Sequence, residues 1–292
     1  MNQATNARNS NNVSYISFNA AKAARNGPKV ISITSGKGGV GKTNIVANLA
    51  FALCNQGKRV MILDADLGLA NIDILLGLAP KYTIGHVFSG EKTISEILVE
   101  GPGGMRIMPA SSGVQELTEL SESQKLFLLN ELDGLRGLID IMFIDTGAGI
   151  SSNVLYFNLA AQERVIVATP EPTSIADAYA LIKILFTRHD TKRFSVLINQ
   201  AHTPSEGQQV FKKLAMVADR FLGSLSLDYW GCIPYDANIP RAVKQQRAVV
   251  ELYPDASSSK QFRELAGRIC GRMYDERPDG NIKFFWKNLL QM

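Results

Sequence analysis

From residue 29 onward the chain alternates short apolar runs with segments of helical spacing. Runs at residues 30–34, 59–63, 106–108, 140–144, 164–168, 194–198 and 227–232 are nearly continuous in apolar residues rather than alternating. Continuous runs mark strands covered on both faces, the situation of a parallel sheet. Helical spacing falls between them, as at residues 44–56 and 257–274. Repeated strand–helix alternation predicts an α/β fold with a doubly wound, mostly parallel sheet.

The flanks read differently. Residues 1–28 hold seven Asn and almost no apolar periodicity, so they bury too little surface to offset the entropy of ordering and are expected to form a disordered arm. Arg277-Pro278-Asp279-Gly280 breaks the last helix, leaving residues 29–276 as one domain and 281–292 as a separate element. In that tail Ile282, Phe285, Trp286 and Leu289 fall at i, i+3, i+4 and i+7, with Lys283 and Lys287 on a flank. Such a face suits the headgroup region of an anionic membrane, and equally suits docking on the domain's own surface.

Composition narrows the picture modestly. A chain of 292 residues, 46% hydrophobic and 20% charged, suffices for one sizeable core. A net charge of +4 selects no partner by itself. Three widely spaced cysteines, Cys54, Cys232 and Cys270, offer neither a disulfide framework nor a metal pair, and His86, His189 and His202 show no ligand spacing. With no run of about 18 apolar residues and no apolar signal centre, a cytoplasmic protein is expected.

The chemistry concentrates where the first strand ends. It runs into Gly36-Lys37-Gly38-Gly39-Val40-Gly41-Lys42-Thr43, followed by the helical segment that begins at Asn44. This is the strand–loop–helix context in which G-x-x-x-x-G-K-[ST] cradles phosphates. Glycines let backbone N–H groups converge on phosphate oxygens at a positive helix end. Lys42 is placed to neutralise β- and γ-phosphate charge and Thr43 to ligate Mg²⁺, so ATP or ADP with Mg²⁺ is the expected ligand. The second run closes in Asp64-Ala65-Asp66, putting two carboxylates at the sheet edge where ligands of open α/β sheets bind. A third run closes in Asp145-Thr146-Gly147-Ala148-Gly149, which fits a carboxylate holding Mg²⁺ through water.

The string Lys37-Gly38-Gly39-Val40-Gly41-Lys42-Thr43 resembles the deviant Walker A signature of the MinD/ParA class, P-loop NTPases of the SIMIBI type. The resemblance implies that Lys37 reaches across a two-fold axis to the partner's phosphates, so that the protein is a homodimer with ATP and a monomer otherwise. It implies that Asp66 orients the attacking water and that Gly147 and Gly149 are switch glycines beside the γ-phosphate. For Asp64 it suggests a supporting Mg²⁺-side carboxylate, with a charge-cap or turn role standing equally. It places adenine near Asn199 and near Ile233-Pro234-Tyr235-Asp236, contacts that no spacing rule supplies.

Within the class, Gly41-Lys42-Thr43-Asn44, Asp64 to Asn71 and Ile233 to Asp236 resemble the flagellar-number subfamily FlhG (FleN) more than the division-site selectors. That likeness implies slow ATP hydrolysis, control of flagellar number, and action through a signal-recognition-type GTPase (FlhF) and a FleQ-type master transcription activator. It also implies reversible attachment to the inner face of the membrane, at a pole. The subfamily's N-terminal GTPase-stimulating element, D-Q-A-x-x-L-R, is matched at Gln3, Ala4 and Arg8 and departed from at Asn2 and Ala7, so chance stands beside function there.

Other classes compete less well. A DNA-partitioning ATPase draws on Arg241, Lys244 and Arg247 in one expected helix, but the aromatic tail opposes it and no direct DNA binding is expected. An iron–sulfur reductase needs cysteines at a dimer seam. A nucleotide-binding scaffold without turnover remains the alternative.

Overall fold

The computed structural model describes residues 27–67, 71–110, 120–135 and 137–275. The N-terminal arm up to residue 26, the GTPase-stimulating element within it, the 68–70 part of the acidic string and the amphipathic tail lie outside the described residues.

The described strands are β1 (Lys29–Ser35), β2 (Val60–Ala65), β3 (Val99–Glu100), β4 (Arg106–Met108), β5 (Ile141–Ala148), β6 (Glu163–Ala168), β7 (Arg193–Ala201) and β8 (Ser226–Pro234). They form one sheet in the order β3-β4-β2-β5-β1-β6-β7-β8. Every pairing is parallel except β3 with β4. All seven expected strands are present. Only the two-residue β3 had no sequence signal, being too short to carry a pattern.

The helices are α1 (Lys42–Cys54), α2 (Ile72–Leu75), α3 (Ile84–Phe88), α4 (Ile94–Ile97), α5 (Glu122–Asp133), α6 (Ser152–Ala160), α7 (Pro172–His189), α8 (Pro204–Leu222), α9 (Asn238–Lys244), α10 (Val249–Leu252) and α11 (Ser257–Asp275). Arg247 falls outside α9, correcting the expectation of one basic helix. The chain turns through Gln246, whose φ of 53° no helix accommodates.

Strand parity assigns the two faces. Ile31, Ile33, Phe143 and Val165 pack against α1 and α11 through Ile45, Leu49, Phe262 and Leu265. Val30, Met142 and Ile144 face the other way, onto α5 and α6 through Leu128, Leu132 and Phe157. Ile166 and Val196 continue that second layer against α7 and α8. Each fully buried aliphatic contributes about 1.5–3 kcal/mol, and the double covering explains why the strands read as unbroken apolar runs.

Two features position the site. Strand β1 lies between β5 and β6, so its carboxyl end sits in the crevice where open α/β sheets bind ligands. Pairing of β1 with β5 then slips: Ile33 faces Asp145, but Ser35 faces Ala148. Two steps on β1 match three on β5, a bulge that gives β5 one extra residue just beyond Asp145.

Candidate functional site

The loop from β1 to α1 is shaped by its glycines. A Cβ at Gly36 would lie 2.1 Å from the Asp177 carbonyl oxygen of α7, so only glycine fits there. Gly41 caps α1 with φ 91°, the left-handed region, and there glycine alone avoids a steric penalty. Lys42 opens α1 with its amine 3.1 Å from Ser35 Oγ and is 8% exposed. Burial lowers its pKa, while the charges of Asp145 and Asp66 pull it back upward. A buried lysine amine at the start of a helix, next to a glycine-rich loop, is poised to receive an anion.

Asp145 closes the apolar stretch of β5 and is 1% exposed. Burial raises its pKa; the Thr43 hydroxyl and Lys42 oppose this, and Asp66 reinforces it. Its Oδ1 is buried without a hydrogen-bond partner among the described residues. Buried carboxylate oxygens are ordinarily satisfied, so an unpaired one beside the Thr43 hydroxyl fits a hydrated Mg²⁺. Asp66 approaches from the carboxyl end of the neighbouring parallel strand β2: a Cβ built on Gly147 would lie 3.5 Å from Asp66 Oδ1. Gly39, Lys42, Thr43, Asp66, Gly147 and Lys244 all border one open cleft of about 1180 Å³, ample for a nucleoside triphosphate.

Asp64 departs from the metal-side expectation. Its carboxylate accepts the backbone N–H groups of Asp66 (3.2 Å), Asn71 (3.2 Å) and Ile72 (3.3 Å), the last two at the start of α2. Oδ2 thus caps the start of α2 while Oδ1 closes a turn at Asp66, so the cap and turn role left open from sequence is the one these contacts form. Burial first, and then the Asp145 charge, push its pKa up, against the amides that lower it.

The Asp236 carboxylate is engaged in a similar way. Its Oδ1 accepts the Asn238 N–H (2.9 Å), and its Oδ2 accepts the Ser258 N–H (3.1 Å) and the hydroxyls of Ser257 (3.1 Å) and Ser258 (2.9 Å). These bonds join the α9 turn to the first turn of α11, so this carboxylate serves two helix starts. Pro234 ends β8 opposite Ala201. Asn199, 5% exposed, donates from Nδ2 to the Val40 carbonyl (2.8 Å) and so steadies the phosphate loop. Its Oδ1 has no partner among the described residues. Asn44 borders the cleft and is held by Asn48, whose Nδ2 donates to the Asn44 side-chain oxygen (2.8 Å) and whose Oδ1 accepts Val250 N–H (3.1 Å).

Lys37 turns away from its own phosphate loop. Its Nζ lies 2.5 Å from Glu171 Oε2 and 2.9 Å from Thr173 Oγ1 at the start of α7. Glu171, Thr173 and Asn48 carried no signal in sequence, because each is joined to the site by folding alone.

Fold and cleft define a P-loop nucleotide-binding protein with a second lysine in its loop. The profile of the CobQ/CobB/MinD/ParA nucleotide binding domain matches residues 31–249, and the chain belongs to this family. It is 48% identical to Antiactivator FleN of Pseudomonas aeruginosa, covering 90% of this chain and 94% of that protein. It is 36% identical to Flagellum site-determining protein YlxH of Helicobacter pylori, over 90% of each. Among solved structures, the MinD cell division protein of Aquifex aeolicus superposes with TM-score 0.67 at 27% identity, over 83% of this chain and 97% of that one.

Proposed function

We propose that this protein is an ATP-hydrolysing switch that dimerises around ATP and restrains flagellar number. The observation that carries the flagellar reading is the 48% identity to Antiactivator FleN over nearly the whole chain, and the likeness to a flagellum site-determining protein supports it. The switch reading draws on the cleft. Loop amides and Lys42 hold the phosphates. Thr43, and Asp145 through water, would hold Mg²⁺, which when bound would supply charge neutralisation at the terminal phosphates. Asp66, against Gly147, orients the attacking water, and the buried Asn199 Oδ1 accepts from the exocyclic amine of adenine.

Lys37 exchanges Glu171 for the phosphates of a partner copy, so the dimer forms only with the triphosphate. The dimer engages a membrane through residues 281–292, on the inner face at a cell pole, and acts on a signal-recognition-type GTPase (FlhF) and a FleQ-type transcription activator. No helix among the described residues is long and apolar enough to cross a membrane, and the attachment proposed is peripheral.

Two measurements on purified protein test this. MgATP hydrolysis is expected for the wild type and lost in Asp66→Ala. Co-sedimentation with anionic vesicles is expected with ATP, not with ADP, and is abolished by deleting residues 281–292. ATP binding without hydrolysis in the wild type reduces the protein to a nucleotide-binding scaffold.

A further inference from the structure

A chain of polar side chains runs through the layer between the sheet and α6. Ser32, Thr34, Thr146 and Asn158 are each at most 1% exposed, where parity and packing otherwise place Val30, Met142, Ile144 and Phe157. Ser32 Oγ donates to Asn158 Oδ1 (3.0 Å). Asn158 Nδ2 donates to Thr34 Oγ1 (3.1 Å) and to the Val154 carbonyl within α6 (2.8 Å). The Thr146 hydroxyl lies 2.9 Å from Thr34 Oγ1, 2.9 Å from the Gly147 carbonyl and 3.3 Å from the Ile33 carbonyl.

Apolar side chains would fill this layer more cheaply, since each buried hydroxyl or amide forfeits hydration and must be repartnered. The polar chain supplies position instead. Thr34 lies two residues before the phosphate loop, and Thr146 comes directly after Asp145. Between them lies the bulge that gives β5 its extra residue. The Thr146 hydroxyl is set among the carbonyls of that bulge, and bulges next to active sites re-aim the neighbouring residues. Gly147 is the neighbour here; it borders the cleft and lies against Asp66. Asn158 ties the same chain to α6, the helix that begins at Ser152, just past Gly149.

We propose that Thr34, Thr146 and Asn158 are positioning residues. Their hydrogen-bond chain holds the bulge that sets Gly147 beside the terminal phosphate, and it passes displacement of Gly147 to α6. This deepens the ATP-switch reading and rests on it. Turnover is the property affected, because the loop amides and Lys42 that hold nucleotide lie outside the chain. A displacement of about 1 Å at a reacting centre costs up to about 10²-fold in rate.

The test compares Thr146→Val, which keeps the shape and removes the hydroxyl, with Thr146→Ser, which keeps the hydroxyl. Each is measured for kcat and KM with MgATP, for ADP affinity, and for Tm. The expected result is a kcat about tenfold lower in Thr146→Val, KM and ADP affinity within about threefold of wild type, and kcat restored to within about threefold in Thr146→Ser. Wild-type kcat in Thr146→Val overturns the inference while leaving the ATPase reading intact. Parallel loss of kcat, ADP affinity and Tm also overturns it, assigning the chain to packing alone. A wild type that neither binds nor hydrolyses ATP removes the ATPase reading itself, and this inference with it.

Discussion

Lys37 Nζ lies 2.5 Å from Oε2 of Glu171, 134 residues further along the same chain. The lysine proposed to reach a partner's phosphates is thus held in its own subunit by an ion pair at the start of α7. Both side chains are substantially exposed, at 36% and 63%, and exposed pairs contribute only about 0.2–1 kcal/mol. On the proposed trans role of Lys37, a restraint of that size is weak enough to yield to a triphosphate.

Glu171→Ala is therefore expected to favour the dimer. Removing about 1 kcal/mol of restraint lowers the ATP concentration at half-dimerisation by up to about fivefold. Sedimentation velocity across an ATP titration measures this. Weaker dimerisation in Glu171→Ala would instead mean that the carboxylate works within the interface.

Asp66→Ala is expected to lower MgATP hydrolysis by about 10²-fold or more, the scale of losing a group that directs water. ATP affinity stays within a few-fold, because the loop amides and Lys42 are untouched. Single-turnover kinetics separate the two quantities.

Asn199→Ala is expected to erode discrimination between ATP and GTP, since the buried Oδ1 favours a base that presents a donor. A lost buried hydrogen bond costs about 1–3 kcal/mol, so the ATP-over-GTP affinity ratio falls by about tenfold. Competition binding with the two nucleotides reads it directly, and an unchanged ratio assigns Asn199 to steadying Val40 alone.

Asp236→Ala tests the capping role of that residue. Burial raises its pKa, but the amides of Asn238 and Ser258 and the hydroxyls of Ser258 and Ser257 outweigh burial and hold it below the ordinary carboxylate value. A depressed carboxylate stabilises the fold above its unfolded value and loses that contribution as pH falls through the folded value. Loss of the cap costs about 0.5–2 kcal/mol at pH 7. Wild type and variant then converge as pH falls through the depressed folded value. Urea titrations at neutral and acidic pH show whether the gap closes; a gap that persists in acid rejects the cap.

The phosphate loop was legible because its determinants are contiguous: a strand, eight residues and a helix stand in unbroken succession. Double covering of the sheet left its mark in unbroken apolar runs, so the seven longer strands could be read too. Asp64 and Asp236 show where local pattern stops informing. A carboxylate at a strand end serves a metal, a base or a helix start equally well. The choice depends on amides brought to it by the fold, from Ile72 in one case and Ser258 in the other. Glu171 escaped notice because only folding joins it to Lys37. The bulge beyond Asp145 escaped because register belongs to a pair of strands, and neither carries it alone.

If ATP joins two copies through Lys37, the dimer must need both the triphosphate and that lysine. Light scattering on size-separated Asp66→Ala protein, with and without the additional Lys37→Ala change, examines both requirements at once, since slow turnover preserves bound ATP. Expected are a dimer mass for Asp66→Ala with MgATP, a monomer with MgADP, and a monomer for the double variant with either nucleotide. A monomer for Asp66→Ala at saturating MgATP, or a dimer that survives loss of Lys37, would contradict the ATP-bridged dimer.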